Sequence, residues 1–262
     1  MKICFSTAAL FPRPTLEALQ LIAEAGYDGA EIMPQCRSEA TPQFALKILR
    51  TKGLAPVYSI HFPLVFFPIF YNPYPKMKEE ARLLVRELVE MGQKLQSQVI
   101  VIHPVPDLSP EKKTLFTPSI HENVCFLCEI ASASGIRVAI ENSPNSPCRT
   151  PEGMKTYLSN LNCPNVFPML DTTEALESGV QPVEFLRLLD VIHLHVSDHS
   201  ACKGKHLPPG RGDIKWNEII ELLKKKNFQG CLVVEPEYIY FLNQPDKLLK
   251  ETLVFLRNLC VA

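Results

Sequence analysis

A chain of 262 residues, 46% of them apolar, can bury a full core as one large α/β domain or two small ones, and no composition break favours two, so 1–262 reads as a single domain. Lysine plus arginine number 27 against 28 acidic residues, which leaves no basic excess for nucleic-acid phosphates or an anionic membrane surface. The opening "MKICFSTAALFPRP" reaches proline and arginine too soon for a signal peptide, and the longest apolar run, "FPLVFFPIFY", is too short and too proline-rich to span a membrane, so a cytoplasmic protein is expected.

In chain order, short β-branched runs alternate with segments of helical period. "KICFST" (2–7) reads as the first strand, and a helix opens after Pro14 with Thr15 as its cap and ends at Gly26. "GAEIM" (29–33) and "PVYSIH" (56–61) follow as strands, and then "HFPLVFFPIFYNPYP", too aromatic for an ordinary solvated loop: it suits a lid over a site or a contact between subunits of a homo-oligomer. A helix over 76–95 places Met77, Ala81, Leu84, Leu88, Met91 and Leu95 on one face. The remaining strands are "QVIVIH" (98–103), "IRVAIE" (136–141), "VFPMLD" (166–171), "VIHLHV" (191–196) and "CLVVEP" (231–236), and a last helix runs from Asp246 to Leu259. Eight strand and helix rounds match a (β/α)8 TIM barrel; an open doubly wound sheet is the competing arrangement, but no GxGxxG follows the first strand. The nine scattered cysteines suit free thiols in a reducing compartment, and the CxxC of Cys125 and Cys128 lies inside a predicted helix with no second pair to complete a metal site.

Six strands finish on or beside a histidine or a carboxylate: His61, His103, Glu141, Asp171, His195 and Glu235. In a barrel these positions meet at one mouth. All six side chains are of types that bind divalent metal, with manganese, zinc, magnesium or cobalt suited to such oxygen and imidazole donors. Three carboxylates crowded at an apolar mouth would raise one another's pKa unless a cation sat among them. Taken singly, a histidine such as His61 is as readily a hydrogen-bonded structural residue, and His193 lies on the same strand face as His195 and competes with it as a ligand.

"VAIENS", "MLDTTEALESG", "HLHVSD" and "LPPGRGDIKW...LVVEPE" resemble, in order, the signatures of the xylose isomerase-like TIM-barrel superfamily, which includes sugar isomerases, ketose 3-epimerases and endonuclease IV-type phosphodiesterases. By position the resemblance implies that Glu141, Asp171, His195 and Glu235 hold one divalent metal, with Glu141 and Glu235 as the catalytic acid–base pair. The HxxD pattern of His195 and Asp198 selects His195 over His193. His61 and His103 match a pair that, with Glu141, holds another zinc in the endonuclease branch, and His206 matches one ligand of that branch's third zinc. The chain departs from those nucleases by carrying Glu174 three residues after the aspartate, where relatives have a substrate- or zinc-contacting histidine, and Gly204 two before His206, so Glu174 and His206 are candidates to bind substrate. Lys203, Lys205 and Arg211 cluster in sequence around His206, where Lys203 and Arg211 are candidates to meet a substrate phosphate or carboxylate, with a solvated basic loop as the plain alternative. The resemblance implies a small sugar or sugar phosphate as substrate of a metal-dependent isomerase or epimerase, with a multi-zinc phosphodiesterase or a non-catalytic sugar-binding barrel as the other readings.

Overall fold

Alternation along each apolar run decides the architecture, because a strand buried on both faces sends one parity inward and the other towards covering helices. A computed structural model describes residues 1–105 and 107–261. In chain order the elements are β1 (Lys2–Ser6), α1 (Thr15–Ala25), β2 (Gly29–Ile32), α2 (Pro42–Arg50), β3 (Val57–His61), α3 (Phe67–Phe70), α4 (Pro75–Leu95), β4 (Val99–Ile102), α5 (Pro110–Ala133), β5 (Arg137–Ile140) and α6 (Pro151–Leu161). They continue with β6 (Val166–Pro168), β7 (Leu170–Asp171), α7 (Thr172–Glu177), α8 (Pro182–Leu188), β8 (Leu194–Val196), β9 (Asp198–Ser200), β10 (Gly204–Leu207), α9 (Trp216–Lys225), β11 (Cys231–Val234) and α10 (Pro245–Val261).

The parallel sheet runs β6-β5-β4-β3-β2-β1-β11-β8-β7, and its two ends are halves of one extended segment interrupted at Met169. Met169 N donates to Ile140 O at 2.9 Å, while Leu170 N donates to His193 O at 3.2 Å, so this segment pairs on both sides and closes the sheet into the expected barrel. β9 and β10 form a separate antiparallel hairpin above it.

Ile3, Phe5, Ile32, Ile60, Ile100, Ile102, Val138, Ile140, Leu232 and Val234 join the main hydrophobic core, in which the sheet meets its helices. The opposite parity gives small apolar clusters of Val99, Val101, Ala139 and Met169, and of Cys4, Cys231 and Val233. Continuing that parity towards the strand ends reaches Ser6, His61, His103, Glu141, Asp171, His195 and Glu235, so the fold carries them to one end of the barrel. On α4, Ala81, Leu84, Leu88, Met91 and Leu95 are buried as the stripe predicts, with Met77 half-buried at its start.

Two expectations are corrected. Thr15 does not cap α1: Pro14, already extended, stands at the N-cap and accepts from Ala18 N at 3.0 Å, leaving Thr15 as a buried first residue, while Gly26 ends the helix at φ 90° as expected. The cysteines are not all free, because Cys125 on α5 is disulfide-bonded to Cys163 beyond α6, their Cα atoms 5.9 Å apart. Cys128, the other half of the CxxC, is a buried free thiol, as are Cys4, Cys148 and Cys231. Among the described residues no helix is long and apolar enough to cross a membrane.

Candidate metal centre

His195 is the centre of the arrangement. β8 is paired between β7 and β11, and this register sets His195 beside Asp171 and Val233. Its Nδ1 lies 3.0 Å from Glu141 Oε1 and 2.6 Å from Glu235 Oε2, and its Nε2 lies 2.9 Å from Glu31 Oε1. Donor atoms of Glu141, Asp171, His195 and Glu235 all fall within 4.8 Å of one another, a spacing one divalent ion can bridge. The mixed oxygen and imidazole set fits such an ion.

Each candidate ligand is held at or just past its strand end. Asp171 ends β7 and caps α7, its Oδ1 accepting from Glu174 N at 2.7 Å, while Asn142 Oδ1 accepts from its backbone N at 2.6 Å. Ser6 Oγ donates to Glu235 Oε1 at 2.8 Å. Glu141 Oε2 lies 3.0 Å from His103 Nε2 and 3.4 Å from His61 Nε2, so His61, His103 and Glu141 form a second donor cluster. The Phe62 carbonyl, 2.9 Å from His61 Nδ1, can only accept, which puts a proton on Nδ1 and leaves Nε2 turned to Glu141.

Burial pushes every carboxyl here upward, and the outcome differs with its neighbours. For Glu141 the charges of His103 and His195 overcome burial and hold it well below the usual carboxylate range; His195 does the same, less strongly, for Glu235. Asp171 goes the other way: burial, with the repulsion of Glu141 and Glu174, pushes it up to about 7 despite His206 and His195. Burial lowers His195, but Glu235, Glu31 and Glu141 together raise it well above an ordinary imidazole. A carboxyl raised beside an imidazole raised is what crowded buried carboxylates produce, and it is the setting a bound cation would relieve.

The centre opens into a cavity of about 310 Å³ lined also by Glu174, His206, Leu64, Glu237 and Tyr238. Glu174 Oε1 meets His206 Nε2 at 3.0 Å, and Ser197 Oγ is 3.2 Å from His206 Nδ1. Burial lowers His206, but Glu174 and Asp171 raise it to about 9. Asp198 folds the loop that brings His206 here: its carboxylate accepts from Gly210 N, Ile214 N and Trp216 Nε1 at 2.9, 3.1 and 2.9 Å. Gly212 is required in that turn, since a Cβ there would stand 2.3 Å from Asp198 Oδ1.

Lys203 and Arg211 are not brought to the cavity. Lys203 Nζ bonds the Arg211 carbonyl at 3.1 Å, Arg211 Nη2 meets Glu251 at 3.2 Å, and Lys205 Nζ lies 3.6 Å from Glu177. Among the described residues no lysine or arginine lines the cavity. The aromatic segment folds inward rather than forming a free flap: Phe62 packs on Phe70 at 4.6 Å, Phe67 on Tyr71 at 5.0 Å, and Tyr71 OH donates to the His103 carbonyl at 2.6 Å. Leu64 and Val65 remain exposed at the mouth.

Reading strand ends alone misses Glu31. It lies within β2, fully buried, accepting from Ser59 Oγ at 2.6 Å and meeting His193 Nε2 at 2.9 Å, so Glu31, His193 and His195 form a third donor group, while His193 stays out of the one made by Glu141, Asp171, His195 and Glu235. The available signal was a carboxylate between Ala30 and Ile32 in an otherwise apolar strand.

A family model described as xylose isomerase-like TIM barrel matches residues 19–259. The chain belongs to this family. Among xylose isomerase-like relatives, a fructoselysine 3-epimerase of Shigella flexneri is 24% identical over 262 residues, covering 94% of this chain and 93% of its own. D-psicose 3-epimerase from Clostridium cellulolyticum H10, solved with D-tagatose, superposes with a TM-score of 0.78 at 18% identity, covering 99% of both chains. The IolI protein, solved with a zinc atom, gives 0.76 at 19% identity over 99% of this chain and 98% of that one. This xylose isomerase-like barrel is thus similar to sugar epimerases along nearly its whole length.

Proposed function

We propose that the chain is a divalent-metal-dependent isomerase or epimerase of a small unphosphorylated sugar, with Glu141 and Glu235 as its acid–base pair. The observation that carries the reading is the convergence of Glu141, Asp171, His195 and Glu235 within one ion's reach. A fructoselysine epimerase relative and a zinc-bearing neighbour of the same fold support it.

Glu141, Asp171, His195 and Glu235 would hold a divalent ion, whose positive charge would make a hydrogen on the carbon next to a ketose carbonyl more acidic. The protein's own part is proton handling and placement. Glu141 and Glu235 come from β5 and β11, with β7 and β8 between them in the barrel, so they approach a substrate from different sides. One takes the carbon-bound proton and the other returns one. Asp171 anchors the site, with Asn142 gripping its backbone on both sides through bonds of 2.6 and 3.1 Å. Glu174, His206 and Glu237 face the same cavity and suit the hydroxyls of a sugar.

The lining also bears on substrate charge. With Glu174 already paired to the raised His206, the lining's Glu237 and the ligand carboxylates, without a lysine or arginine among the described residues, disfavour a phosphate ester. In a panel of free ketoses and their phosphates read by solvent-deuterium incorporation, exchange is expected with free sugars at a kcat/KM at least about tenfold above their phosphates, a difference of about 1.4 kcal/mol. Faster exchange with phosphates would reverse this part of the reading.

The cluster of His61, His103 and Glu141 favours one second reading, a two-metal hydrolase acting on phosphodiesters. Elemental analysis separates the two. One tightly held ion per chain is expected; two or three zincs together with cleavage of an abasic oligonucleotide would replace the isomerase reading.

A further inference from the structure

Glu31 lies one layer beneath the metal centre, where it touches neither cavity nor solvent. A buried carboxylate is costly unless every lone pair that matters is met by a donor, and Glu31 is met three times. Ser59 Oγ and His193 Nε2 both reach Oε2, at 2.6 and 2.9 Å, which leaves Oε1 for His195 Nε2 at 2.9 Å. An ionised carboxylate only accepts, so His195 Nε2 must carry a hydrogen. The other nitrogen, Nδ1, is the one between Glu141 and Glu235. His193 fits the same assignment: with its proton on Nε2, its Nδ1 is a bare lone pair, and that atom has no hydrogen-bond partner among the described residues.

We propose that Glu31 is a positioning residue, which keeps the His195 proton on Nε2 and thereby presents the Nδ1 lone pair to the ion held with Glu141, Asp171 and Glu235. The proposal rests on the metal-centre reading above. It adds that affinity for the ion is set partly from beneath, by a residue that never touches ion or substrate. A carboxylate behind a metal-bound imidazole fixes ring orientation and raises ligand basicity, and removing such a partner typically costs about 10 to 100-fold in metal affinity. Ser59 and His193 hold Glu31 in that pose, so the β2 carboxylate, a β3 hydroxyl, His195 of β8 and His193 just before it act as one unit.

The test uses the full chain stripped with a chelator. Manganese and cobalt affinities are measured by titration, and the protonation of each His195 nitrogen is read by 15N NMR on the zinc-loaded protein. Glu31→Gln is expected to weaken binding about 10 to 100-fold, with the circular dichroism spectrum unchanged, because an amide can also donate and no longer dictates which nitrogen holds the proton. Glu31→Asp, which keeps the charge at shorter reach, is expected to lie between the two and serves if the glutamine variant does not fold. The zinc-loaded wild type should show His195 protonated on Nε2 alone. Affinities within twofold of wild type in both variants, or a His195 signal unaltered by Glu31→Gln, overturn the proposal and leave the metal centre standing. A wild-type chain that binds none of the three ions overturns both.

Discussion

Glu235→Gln is expected to abolish solvent-deuterium exchange into a true ketose substrate, lowering kcat by about 10³-fold or more while the chain stays folded. Glutamine matches glutamate in volume and keeps an oxygen for Ser6 Oγ, which donates to Glu235 Oε1 at 2.8 Å, so packing is preserved. What it loses is the ability to take or give a proton, and general acid–base catalysis by one positioned group is worth about 10² to 10⁴-fold. Glu141→Gln should be as inactive, and although each variant removes a ligand carboxylate, it should weaken ion binding more than Glu235→Gln does. Glu141 faces His195 at 3.0 Å and His103 at 3.0 Å, so its charge serves both clusters, whereas Glu235 faces only the first. Comparing metal affinity with kcat in the two variants separates these roles. Full activity in either would sink the acid–base assignment.

The barrel was legible because its signal repeats. Within "QVIVIH", "IRVAIE" and "CLVVEP" the stretches "VIVI", "VAI" and "CLVV" are apolar on both parities, and only a strand covered on both faces tolerates that before a sudden polar end. Hence His103, Glu141 and Glu235 stand immediately past the last strand residues Ile102, Ile140 and Val234. Glu31 escaped the same reading because it is not at an end; its partners Ser59, His193 and His195 are remote in sequence and meet it only when the sheet closes. Lys203 and Arg211 show the converse. Nearness in sequence to His206 suggested a shared site, but the β9–β10 hairpin and the turn pinned by Asp198 separate them, sending His206 to Glu174 and Arg211 to Glu251. The Cys125–Cys163 bond was hidden for a related reason, since nothing in either helix period tells that α5 and the end of α6 lie side by side.

Metal binding is expected to strengthen steeply with pH, and the sign follows from the two groups that must lose protons to become ligands. In the metal-free protein burial lowers His195, but Glu235, Glu31 and Glu141 outweigh it and raise it well above the ordinary imidazole range, which favours a proton on Nδ1 that an ion must displace. Asp171 is pushed up to about 7, chiefly by burial, so below that pH it too is protonated. An ion entering the site displaces both protons below pH 7 and only the first above it. The logarithm of the association constant should therefore rise by about two per pH unit from pH 5 to 7 and by about one from pH 7 to 8. Metal-free stability runs in the opposite direction. A carboxyl whose folded pKa is raised favours folding at low pH, and Asp171's contribution is lost as pH climbs from its ordinary value of 3.8 through about 7. The gain in Tm on adding manganese or cobalt should thus be small at pH 5 and large at pH 8, because the ion takes over where the protons leave. An Asp171→Asn chain should show the shallower slope of about one across the whole range. A gain in Tm independent of pH, or a wild-type slope no steeper than that of the asparagine variant below pH 7, would show that Asp171 is not a ligand.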